Sequence, residues 1–78
     1  MIKNYSDTLF DEIKLLAKFP QQSHLEGLKI HKTATDETIK AAKSLFDKGL
    51  ITRDDGGYLT DLGIEISEHM FHVLNALK

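Results

Sequence analysis

A chain of 78 residues has room for one domain, and a domain of that size hides only about 60% of the surface its unfolded chain exposes, so its core must be thin. It has no cysteine, which excludes disulfides and thiolate zinc sites as reinforcement and leaves helix packing or self-association to supply stability. Ten basic residues face twelve acidic ones, five against six on each side of the Ile39-Lys40 junction, so no basic arm or tail announces a nucleic-acid partner by charge alone.

Met1 to Phe19 carries Asp7, Asp11 and Glu12 among its apolar residues, unlike a secretory leader, and no stretch has the length and hydropathy of a membrane span. A cytoplasmic protein is predicted. Ser6 or Asp7 caps a first helix over about 6–19, with Leu9, Phe10, Ile13, Leu16 and Ala17 on the side assigned to the core and Pro20 just past its end. Leu15 and Phe19 form a second stripe, so this helix is expected to have neighbours on two sides.

A short second helix is predicted over 23–31, capped by Ser23 and carrying His24, Leu25 and Leu28, although the alternation of Leu28, Lys29, Ile30 and His31 also suits a brief strand. Thr35, followed by Asp36 and Glu37, starts a third helix over 35–48: a side-chain oxygen for the unpaired amides, and two acids at the positive end of the dipole. Its apolar face is read as Ile39, Ala42, Leu45 and Phe46, and Gly49 ends it. Two β-compatible runs about Asp54-Asp55-Gly56-Gly57 predict a hairpin over 50–60, and Thr60 and Asp61 open a last helix over 61–77.

The run Leu45-Phe46-Asp47-Lys48-Gly49-Leu50-Ile51-Thr52-Arg53, followed by Asp54-Asp55-Gly56-Gly57-Tyr58-Leu59-Thr60-Asp61-Leu62-Gly63, resembles the segment of MarR-like and PadR-like regulators in which a recognition helix gives way to a wing. The element order carries the resemblance over nearly the whole chain, which is also similar to a small gammaproteobacterial family described as DNA-binding. The resemblance implies a single winged helix-turn-helix domain over 1–78, mainly α, with three helices, a small β-hairpin wing and a long C-terminal helix. It further implies a DNA-binding or transcription-regulating function, with helix 35–48 as the recognition helix. The DNA contacts it implies are Lys32, Thr38, Lys40, Lys43, Ser44 and Arg53.

Other features pull away from that pattern. The outward residues of helix 35–48 are expected to be Asp36, Glu37, Lys40, Ala41, Lys43, Ser44 and Asp47, with three acids against two lysines. Asp36 with Lys40 and Lys43 with Asp47 sit at i, i+4, a spacing that ties up lysine charge. The wing tip sets Asp54 and Asp55 against Arg53. A protein-interaction or dimerisation module that keeps the fold without binding DNA is the alternative, since a fold alone does not choose among such roles.

In the last helix Leu62, Ile66, Met70, Val73, Leu74 and Leu77 form one stripe, and Ile64 and Phe71 widen the apolar arc to roughly 200°. A homodimer through Ile64, Met70, Phe71, Val73, Leu74 and Leu77 is predicted, against the alternative of a helix lying across the first with Phe71 partly exposed. His69 and His72 lie near Glu65 and Glu68, but their spacing is not HExxH, and His24 and His31 belong to another element. No metal and no cofactor is predicted. With no glycine-rich phosphate loop, no nucleophile elbow and no cysteine, no enzymatic activity is predicted either.

Overall fold

The computed structural model describes residues 7–20 and 26–78. Among these it contains α1 (Asp7–Lys18), β1 (Leu28–Lys29), α2 (Asp36–Asp47), β2 (Ile51–Arg53), β3 (Gly56–Leu59) and α3 (Asp61–Leu77). The domain is thus mainly helical, with a small antiparallel sheet and a long C-terminal helix, a winged-helix-like layout. No helix among the described residues is long and apolar enough to cross a membrane.

Local chemistry sets the ends of α2. The Thr35 Oγ1 accepts from the Thr38 amide at 3.2 Å, and Asp36 and Glu37 occupy the first turn. At the other end Gly49 takes a left-handed φ of 78°, its amide donates to the Phe46 carbonyl, and the Leu50 amide reaches back to the Leu45 carbonyl at 3.0 Å. That is the Schellman arrangement, which satisfies carbonyls the helix itself leaves open and turns Leu50 back toward Leu45. Thr60 then works twice: it accepts from the Gly63 amide as the α3 cap and donates its hydroxyl to the Gly49 carbonyl at 2.6 Å. The end of α2 and the start of α3 are fastened through one side chain.

The sheet has the order β1-β3-β2. Leu28 faces Gly57 and Lys29 faces Gly56, while Ile51 faces Leu59 and the pairing shifts before Arg53, a bulge beside the wing tip. This corrects the helix predicted over 23–31. Residues 21–25 lie outside the described residues, and of the remainder Leu28 and Lys29 form a strand. The reason is the period-2 pattern: Leu28 and Ile30 are half-buried, Lys29 is exposed, and the Ile30 amide donates to the Asp55 carbonyl at 2.8 Å. A helix there would leave those cross-strand groups without partners.

Leu15, Leu16 and Phe19 from α1 and its end, Ala41, Ala42 and Leu45 from α2, and Ile51 from β2 form the core, with Leu28, Ile30, Leu50, Leu59 and Met70 packed around it. The inward side of α1 is therefore the Leu15 and Phe19 stripe together with Leu16, and Phe10, assigned to the core from sequence, is 56% exposed. Ala17 is also exposed. On α2 the two alanines let α1 approach closely, so Ala41, expected on the outside, is fully buried. Phe46, expected inside, is rotated out to 42% exposure.

Gly63 is the tightest point of the α3 attachment: a Cβ there would run into the Leu50 carbonyl, which is backbone and already accepts from the Thr60 amide. Gly63→Ala is expected to destabilise the domain by about 1–3 kcal/mol in urea unfolding, the usual range for overpacking. An unchanged midpoint would mean that α3 can shift off the hairpin freely.

Candidate nucleic-acid interface and the open face of α3

The outward face of α2 is decided by what its inward face binds. Glu12, on the side of α1 that packs against α2, is only 5% exposed. One of its oxygens, Oε2, accepts from the Ser44 hydroxyl at 2.8 Å and from the Lys48 ammonium at 2.7 Å. Ser44 and Lys48 are i, i+4 neighbours, so this carboxylate grips one line along α2. Ser44 is consequently not a surface contact, as the sequence suggested; it belongs to the α1–α2 clamp. Thr38 is half-buried in the capping turn, its Oγ1 2.9 Å from the Thr35 Oγ1.

Lys40 and Lys43 remain on the outer face, exposed, with Asp36 and Asp47 beside them. The i, i+4 pairs expected of them are not formed: the ion pairs among the described residues are Asp11–Lys14, Lys29–Asp55 and Glu12–Lys48. Lys32 is exposed in the turn before α2. Arg53 is exposed on the wing, in a shallow depression it shares with Phe46, Thr52, Asp54 and Asp55, so it adjoins the C-terminal end of α2. The structure thus leaves Lys32, Lys40, Lys43 and Arg53 exposed, engages Ser44 with Glu12, and holds Thr38 half-buried in the α2 cap.

The wing tip is less acidic than its sequence. Asp55 receives the Lys29 ammonium at 2.6 Å and its carbonyl receives the Ile30 amide, so this residue joins β1 to the turn. The Lys29 hydrogen bond is the largest influence, and with the charge of Lys29, a backbone hydrogen bond and, last, Arg53 it outweighs the opposing desolvation and holds the Asp55 carboxyl below its ordinary 3.8.

A second surface lies on α3. Its buried residues, Gly63 and Ser67, are both in its first half, and every residue from His72 to Lys78 is exposed. Leu62, Ile66, Val73, Leu74 and Leu77 are exposed by 37–77%. Beside this stripe an apolar groove of about 360 Å³ opens between α1 and α3, walled by Leu9, Ile13 and Leu16 on one side and Ile66, Met70 and Val73 on the other. Of the interface residues named from sequence, Val73, Leu74 and Leu77 are exposed, whereas Ile64, Met70 and Phe71 are half-buried, Met70 against the core. Leu62 and Ile66 take their place on the open stripe.

A family of unknown function, DUF5669, has a sequence model that matches residues 3–78. The chain belongs to this family. No curated protein and no solved structure matches it.

Sequence reasoning missed Glu12, Lys48 and Lys29. Glu12 carried a signal, an acid lying close to Ile13, Leu15 and Leu16 on the packed part of α1. His69 and His72 are exposed on α3, and no group of three potential metal ligands converges among the described residues.

Two measurements follow from these contacts. Glu12→Gln keeps the shape but loses the charge-assisted bond from Lys48, so it is expected to cost about 1–3 kcal/mol in urea unfolding; an unchanged midpoint would show that the clamp contributes nothing. For Asp55, a carboxyl titration by NMR should give a midpoint below 3.8, moving up in Lys29→Ala. Because the folded-state value is depressed, the contribution of this pair is complete above the ordinary carboxylate range and is lost as pH falls through the folded value. A midpoint indifferent to Lys29 would remove the pair as the cause.

Proposed function

We propose that the domain binds double-stranded DNA, with α2 as the helix that enters the major groove and the β2–β3 hairpin as the wing. Lys40 and Lys43 carry this reading: they are i, i+3 neighbours on the solvent face of α2, and among the described residues neither is held in an ion pair. The winged-helix-like layout supports it, as does the clamp from Glu12, which keeps that face of α2 outward. Phosphate contacts come from Lys32, Lys40, Lys43 and Arg53, all exposed.

A cation set this small gives weak and salt-sensitive binding. With about two to four phosphates neutralised per copy, log K should fall against log salt with a slope of about −2 to −4 per copy, at roughly 0.9 per phosphate on duplex DNA. Lys40→Glu should abolish binding and leave the fold intact, since an exposed substitution away from the core changes stability by under about 0.5 kcal/mol. Fluorescence anisotropy on random-sequence duplexes at low salt makes the measurement. Absence of binding at about 50 µM protein, near the weak end of non-specific affinity, would overturn the proposal.

A protein partner is the second reading, and one observation favours it. Asp36 and Asp47 stand on the same face as the two lysines, giving a mixed-charge surface rather than a basic one.

A further inference from the structure

We infer that a second copy of this chain packs antiparallel on α3, about a two-fold axis that passes between His69 and Met70. This does not depend on the DNA reading; it starts from apolar surface that the described residues leave exposed. Leu62, Ile66, Val73 and Leu77 are exposed by 47%, 38%, 54% and 77%, and they lie within about 60° of one another around the helix. Together with the exposed part of Leu74, these fractions amount to about two and a half fully exposed aliphatic side chains on one helix, where single exposed apolar residues are the norm.

The spacing says what fits there. Read forward, the stripe is Leu62, Ile66, the step from His69 to Met70, Val73 and Leu77; read backward, the intervals are the same. A two-fold interface requires that if residue i meets residue j, then j meets i. About an axis between His69 and Met70, Leu62 meets the partner's Leu77, Ile66 meets the partner's Val73, and both contacts recur by symmetry. From Leu62 to Leu77 the stripe runs about 22 Å at 1.5 Å per residue, four helical turns of contact.

Attachment and charge both select the antiparallel sense. The buried residues of α3, Gly63 and Ser67, lie in its first half, and every residue from His72 on is exposed. Antiparallel pairing lays each exposed C-terminal end along the better-anchored first half of the other copy, beside the apolar groove between α1 and α3. It also brings Glu65 near the partner's His72, on the flank of the stripe that faces away from its own core. Parallel pairing would set Glu65 and Glu68 level with their own copies and would leave the docked halves competing for the same space.

Analytical ultracentrifugation of the full chain should show a dimer at micromolar concentration. Val73→Glu and Ile66→Glu should each raise its Kd by about a hundredfold or more, because a carboxylate would have to enter an apolar contact. Their helical circular dichroism should be retained, since both positions are exposed in the single copy. As the chain has no cysteine, single thiols report the register. His69→Cys should form a disulfide with itself on oxidation, and Leu62→Cys should cross-link to Leu77→Cys when the two are mixed. Leu77→Cys alone should not cross-link. A monomer at about 50 µM, a dimer insensitive to both glutamate variants, or efficient self-cross-linking of Leu77→Cys would each overturn the inference.

Discussion

Glu12 takes two donors on one oxygen, from Ser44 and Lys48, and those donors lie one turn apart on α2. A carboxylate buried to this degree is costly unless its lone pairs are used, so the pair of bonds is required by the burial itself. Its structural effect is on rotation. Ala41, Ala42 and Leu45 set the inward face of α2, and the two directional bonds to Glu12 act on the same side of the helix, so apolar packing and hydrogen bonding agree on the orientation in which Lys40 and Lys43 are exposed. Lys48 can serve here at modest cost because its own side chain is 56% exposed, so only one of the two charges is taken fully out of solvent.

The other end of the molecule is governed by a shortage. Seven residues make the buried apolar core among the described residues, and α3, the longest helix, contributes no large side chain to it. Met70 packs against that core from its edge, and α3 is further fastened by backbone proximity at Gly63 and by the double use of Thr60. The apolar surface left open on α3, about two and a half side chains' worth, corresponds to about 4–8 kcal/mol if it were buried, at roughly 1.5–3 kcal/mol per side chain. That is comparable to the whole net stability of a small domain. This surface adjoins the groove of about 360 Å³ that the described residues of α1 and α3 leave between them, and it is the surface on which the proposed pairing of two copies rests.

Much of the fold could be read from residues that act locally. Thr35 and Gly49 mark both ends of α2, Thr60 marks the start of α3, and the glycines after Asp55 mark the hairpin, because caps and turns need only their near neighbours in sequence. What could not be read depends on partners far along the chain. Leu9, Phe10 and Ile13 make as good a stripe as Leu15 and Phe19, and only the position of α2 decides which is inward. Ser44 looks like an ordinary surface serine until Glu12, 32 residues earlier, is placed against it. Lys29 and Asp55 are likewise neutralised by each other across the sheet, which the wing sequence alone presents as an uncompensated acid. The strand at Leu28–Lys29 turns on the same point, since an alternating run of four residues becomes a strand only when an edge such as β3 is available to pair with it.

The two surfaces bear on each other through arithmetic. One copy offers four exposed cations near α2 and the wing, Lys32, Lys40, Lys43 and Arg53, with Asp36 and Asp47 among them, too few for tight binding to a polyanion. Joining two copies makes the second contact intramolecular, which multiplies a weak affinity by an effective concentration without any new cation. The two proposals are therefore coupled: pairing through α3 would supply by association what the near-neutral surface of a single domain lacks.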